Sequence, residues 1–106
     1  MSQGFGNFYL MPATVTLSGD GRKVVASAGT AEAIGSGSCT KVIIVAETDN
    51  TGCVVVGAST VVASAATRRG VPLFAGEKVE VNCTNLNQVY IDATVTGEGV
   101  TFLYEL

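Results

Sequence analysis

From residue 40 onward, short runs of β-forming residues alternate with turn residues at fairly regular spacing. Residues 41–47, 53–57, 60–65, 78–83, 89–95 and 100–106 are rich in Val, Ile, Thr, Tyr and Phe. Between them lie Asp49-Asn50-Thr51-Gly52, Arg69-Gly70-Val71-Pro72, Ala75-Gly76, Asn85-Leu86-Asn87 and Gly97-Glu98-Gly99. β-Branched and aromatic side chains suit a pleated, half-buried surface, whereas Gly, Pro, Asn and Asp supply the dihedrals of turns. The rhythm predicts an all-β fold: an antiparallel β-sandwich of jelly-roll or immunoglobulin-like type, with little or no helix.

The runs alternate in two ways. Val79, Val81 and Cys83 share one face of their run, opposite Lys78, Glu80 and Asn82. Val89, Ile91, Ala93 and Val95 likewise oppose Tyr90, Asp92 and Thr94, so both runs read as strands with one wet face. Val42-Ile43-Ile44-Val45-Ala46 and Val54-Val55-Val56 are instead apolar on both faces. In a small sandwich such strands put one face in the core and need a cover for the other. A subunit interface through Val42, Ile44, Val54 and Val56 is the expected cover, with the Asp49-Asn50-Thr51-Gly52 turn joining the two strands as a hairpin.

Ahead of residue 40 the pattern is looser. Val15 and Leu17 alternate with Thr14, Thr16 and Ser18, and Gly19-Asp20-Gly21 then predicts a hairpin turn before residues 23–28. Gly29-Thr30-Ala31-Glu32-Ala33-Ile34 fits either a strand or one helical turn, and Gly35-Ser36-Gly37-Ser38 is a flexible connection. Residues 1–12 read as an N-terminal arm and 13–106 as the sandwich domain. Pro12 bars a central ladder position, and Phe5, Phe8 and Tyr9 are aromatics that want a partner surface.

Charge changes the picture next. Fifteen of 106 residues are charged, 14%, against about 25% in an average soluble protein. A monomer of this size exposes on the order of 5,500 Å², or roughly one charge per 370 Å². So sparse a surface is expected to face other subunits in part. With six basic residues and a net charge of −3, nucleic acid is not an expected partner. No apolar run approaches the length of a membrane span, and the opening residues do not read as a signal peptide.

Candidate chemistry is thin. The chain has no histidine, the commonest general base and metal ligand. Glu47, Asp49 and Asn50 could approach a hard cation, yet two acids and an amide are ordinary turn chemistry. The paired glycines precede no long helix that would hold a phosphate. Cys39, Cys53 and Cys83 are an odd count without metal-type spacing and read as buried free thiols ahead of the alternative, a disulfide plus one spare. No catalytic residue, cofactor or metal is expected, and the chain does not read as an enzyme.

The stretch from Gly29 to Leu106 resembles a widespread group of small structural proteins of tailed bacteriophages, β-sandwich proteins of the head-decoration (cement), head-fibre or minor virion type. The resemblance is carried by Gly29-Thr30-Ala31-Glu32-Ala33-Ile34, by Lys41-Val42-Ile43-Ile44-Val45-Ala46 with Asn50-Thr51-Gly52, and by Val54-Val55-Val56-Gly57. Gly70-Val71-Pro72-Leu73-Phe74-Ala75-Gly76-Glu77, then Asn85-Leu86-Asn87-Gln88-Val89-Tyr90-Ile91-Asp92-Ala93, and the ending Gly97-Glu98-Gly99-Val100-Thr101-Phe102-Leu103-Tyr104 complete it. It implies a non-catalytic virion component, often a homotrimer. The short length, without fibrous repeat or appended domain, favours a decoration protein on the capsid outer surface that binds the major capsid protein and stabilises the DNA-filled head. Phe5, Phe8 and Tyr9 would then anchor it. The rivals are a tail, fibre or baseplate module, and a carbohydrate-binding adhesin module, which would draw on Tyr90.

Overall fold

The structure is a computed structural model that describes residues 16–106. The arm expected at residues 1–12, with Phe5, Phe8 and Tyr9, lies outside the described residues. Eight strands follow one another: β1 (Leu17–Val24), β2 (Glu32–Ala33), β3 (Lys41–Ala46), β4 (Val54–Gly57), β5 (Val71–Leu73), β6 (Lys78–Asn82), β7 (Tyr90–Ala93) and β8 (Gly99–Glu105). They form two four-stranded antiparallel sheets, β1-β8-β3-β6 and β2-β7-β4-β5, an all-β sandwich. The only helical element among the described residues is a 3-10 turn, Leu86–Gln88, capped by Asn85.

The pairing is nested. β1 pairs with β8, β2 with β7, β3 with β6 and β4 with β5, so the first half of the chain runs antiparallel to the second. Every connection crosses from one sheet to the other except β4 to β5. One expectation is thereby corrected. The Asp49-Asn50-Thr51-Gly52 turn joins no hairpin, because β3 and β4 belong to different sheets. The Gly97-Glu98-Gly99 segment likewise carries the chain across from β7 to β8.

A second correction concerns Gly19 and Gly21, which lie inside β1 instead of in a turn. Their missing side chains make room for aromatics across the ladder. A Cβ on Gly19 would stand 2.5 Å from the Tyr104 hydroxyl, and one on Gly21 would stand 2.5 Å from Phe102 Cζ. The pair register brings them together, Gly19 opposite Tyr104 and Gly21 opposite Phe102. The Asp-Gly signal therefore marked a close approach, the other use of glycine in a strand.

Between the sheets lies the main core. Val42, Ile44 and Ala46 of β3 face it, with Val54 and Val56 of β4, Ile91 and Ala93 of β7, and Val100 and Phe102 of β8. Val42, Ile44 and Val54 are fully buried and Val56 is 3% exposed. The interface expected through these four is corrected on this point: their side chains are occupied inside the subunit.

The second apolar face of β4 also has an internal cover. Val55 packs with Cys53, Val61 and Ala63 in a smaller cluster on the outer side of its sheet. Residues 60–65, expected as a strand, instead belong to the long β4–β5 connection that lies over this face. They join it to Arg69 by one bridge, Val62 N–H to Arg69 O at 3.1 Å and Arg69 N–H to Val62 O at 2.9 Å. Buried Asp92 fastens the cover, accepting the N–H groups of Gly29, Ala63 and Ala93, each at 2.9 Å.

Candidate functional site

The other sheet has an outer face that no segment of residues 16–106 fills. Register places its residues in rows across four strands. Asp20 of β1 stands beside Leu103 of β8, which stands beside Ile43 of β3 and then Glu80 of β6. The next row runs Arg22, Thr101, Val45, Lys78. Both rows place charge on the edge strands and less polar groups at the centre. Ile43 and Val45 are half-buried, and Leu103 is 45% exposed. The surface holds an open groove of ≈ 610 Å³ lined by Asp20, Gly21, Arg22, Ile43, Val45, Thr101, Phe102 and Leu103.

Several charges of the rim are paired. Lys41 Nζ lies 3.6 Å from Glu80 and 3.8 Å from Glu105. Arg22 donates to both carboxylate oxygens of Glu47, with Nη2 to Oε1 at 3.1 Å. That hydrogen bond, helped by the nearby positive charge, holds the Glu47 carboxyl below its ordinary range. Such pairs at a wet surface are screened by solvent and add little, and they leave the apolar centre as the sticky part. Removing Ile43, Val45 and Leu103 from water would contribute on the order of 1 kcal/mol apiece.

Two of the three candidate cation ligands, Glu47 and Asn50, are used structurally. Glu47 is held by Arg22. Buried Asn50 replaces a strand pairing, donating to Gly99 O at 3.0 Å and accepting from Gly99 N at 3.4 Å. Beside it, Glu98 accepts the Thr51 N–H, the Thr51 hydroxyl at 2.7 Å and the Gly52 N–H at 2.9 Å. These bonds, led by the Thr51 N–H, lower the Glu98 carboxyl pKa. The β3–β4 crossing is thus clamped to the start of β8. Among the described residues no three His, Cys, Asp or Glu side chains gather as a metal site.

Sequence reasoning named the inward residues of β3 and missed Ile43, Val45 and Leu103. A signal was present: Ile43 and Val45 share their phase with Lys41, and Leu103 shares its phase with Thr101 and Glu105. Tyr90, the aromatic an adhesin would use, is half-buried against the Cys53, Val55, Val61 and Ala63 cluster. No family model, curated protein or solved structure matches the chain. No helix among the described residues is long and apolar enough to cross a membrane.

Proposed function

We propose that this chain is a capsid decoration protein: a small β-sandwich that attaches to the outer surface of a tailed-phage head, bridges major capsid subunits and stabilises the shell around its DNA. The observation that carries the reading is the charge-rimmed apolar face of Ile43, Val45 and Leu103, which has no cover from residues 16–106. We also read the nested order β1-β8-β3-β6 against β2-β7-β4-β5 as an eight-stranded jelly roll. That architecture recurs in viral capsid and lectin domains, so it supports the reading by fold-level analogy only.

Such a protein stabilises by mass action, because it binds assembled subunits and not dissociated ones. A homotrimer would suit local three-fold positions, and its three weak contacts would combine as avidity. In this account Ile43, Val45 and Leu103 take the interface role, and Phe5, Phe8 and Tyr9 remain the proposed anchors of the arm. The adhesin alternative loses ground through Tyr90, whose ring serves the second apolar cluster. The test is co-sedimentation with capsids stripped of decoration. Wild-type protein should pellet with them, and a folded Leu103→Glu variant should bind at least about tenfold more weakly, since one buried leucine exchanged for a charge exceeds 1.4 kcal/mol. Equal binding by the two would remove this face from the account.

A further inference from the structure

Cys39 and Cys83 lie 44 positions apart in sequence, yet their sulfurs stand 3.2 Å apart. Each belongs to the extension of the β3–β6 ladder beyond its named ends. The Cys39 N–H donates to Thr84 O at 3.1 Å and the Cys83 N–H donates to Thr40 O at 3.2 Å. Cys39 is buried in the main core, whereas Cys83 is half-buried and borders an apolar groove of ≈ 330 Å³ shared with Val79, Val81 and Val89. Cys53 sits apart, in the second cluster. Two thiolates sharing a tetrahedral zinc at about 2.3 Å per bond would lie about 3.8 Å apart, wider than this pair. A disulfide needs about 2.05 Å, within reach of side-chain rotation.

We propose that Cys39 and Cys83 are a redox pair that closes to an intramolecular disulfide and locks edge strand β6 to β3. With a small disulfide such as oxidised glutathione as oxidant, the Cys83 thiolate reached through the groove attacks one of its sulfurs and expels a thiolate. Cys39 then attacks the Cys83 sulfur of the mixed disulfide and expels the second. One S–S bond forms in the protein and one breaks in the oxidant. The two electrons and the two thiol protons end on two glutathione molecules. Burial and the neighbouring Cys39 sulfur push the Cys83 thiol up to about 11, so exchange is slow near neutrality and quickens with pH.

The experiment incubates the purified chain with oxidised glutathione at about pH 9, where more of the thiol is ionised. Intact mass, thiol counting after denaturation and peptide mapping are then read. The expected result is a loss of about 2 Da, one remaining thiol, a linked pair of peptides containing residues 39 and 83, and a melting temperature raised by roughly 5 °C or more. Cys53→Ala should behave the same way, and Cys83→Ser, at a half-buried position, should fold and lose the response. Three free thiols, a lasting glutathione adduct on Cys83, a bond involving Cys53, or a disulfide-linked dimer would each overturn the proposal.

Discussion

The buried carboxylate of Asp92 accepts the backbone N–H of Ala63 at 2.9 Å, tying the long β4–β5 connection to the outer face of β7. Its other oxygen takes the N–H groups of Gly29 and Ala93. Asp92→Asn keeps an acceptor for those two and turns an amide donor toward Ala63, so one buried N–H loses its partner. Urea unfolding should show a loss of about 1–3 kcal/mol for Asp92→Asn and a larger loss for Asp92→Ala. Equal stability of wild type and Asp92→Ala would refute the fastening role.

Glycine in this fold is tested best at Gly99, where β8 begins. A Cβ there would fall 2.2 Å from Lys23 O and 2.8 Å from Val24 Cα, backbone atoms that no rotamer change can move aside. Gly99→Ala should therefore push β1 from β8 and cost about 3 kcal/mol or more. Gly35→Ala is the control, because its nearest neighbour, Leu86 Cδ1, lies at an ordinary 3.7 Å. A thermal melt in which both variants match would show that β1 yields without cost.

Acid sensitivity follows from the clamped carboxylates. Glu98, Glu47 and Glu32 all have folded pKa values below the ordinary 4.5, through hydrogen bonds led by Thr51, Arg22 and Lys23 respectively. A lowered folded pKa gives stability that is complete above the unfolded value and lost as pH falls through the folded one. Stability should hold between about pH 5 and 7 and drop below about 4.5. Glu98→Gln should be less stable at neutral pH and show a shallower fall in acid. An acid limb as steep as that of wild type would exclude Glu98 as a contributor.

Inward and outward residues of the β1-β8-β3-β6 sheet should separate cleanly. Ile44→Ala leaves a hole in the main core and should cost about 2–5 kcal/mol. Leu103→Glu on the exposed side should cost well under that while abolishing self-association, read by light scattering at micromolar concentration. Wild type is expected as a trimer. A wild-type monomer in solution would reject the free trimer and leave assembly on the capsid lattice to the sedimentation test.

Local signals made β3, β4, β6, β7 and β8 legible and left their partners hidden. Alternation at Lys78–Asn82 reports which face turns inward, because period-2 patterning is written within a few residues, whereas at Tyr90–Ala93 it names the core face and misses that Asp92 on the other face is buried too. Nested pairing is set by contacts such as Leu17 with Glu105, which no local window contains. The same limit explains the misread hairpin at Gly19-Asp20-Gly21, where the turn chemistry was local but the cause was Phe102 and Tyr104, far along the chain. It also explains the interface residues. A doubly apolar run says that two faces need cover, and only tertiary structure reveals that Val61 and Ala63 cover β4 while, among residues 16–106, the outer face of β3 stays open.

The central claim, stabilisation of a DNA-filled head, is tested most directly by a thermal DNA-release curve of phage particles lacking this chain, alone and complemented with wild-type protein. The account predicts that null particles assemble, release DNA at a lower temperature, and regain the wild-type curve when complemented, while adsorption to host cells is unchanged. Identical release curves with reduced adsorption would contradict it and favour a fibre or adhesin role.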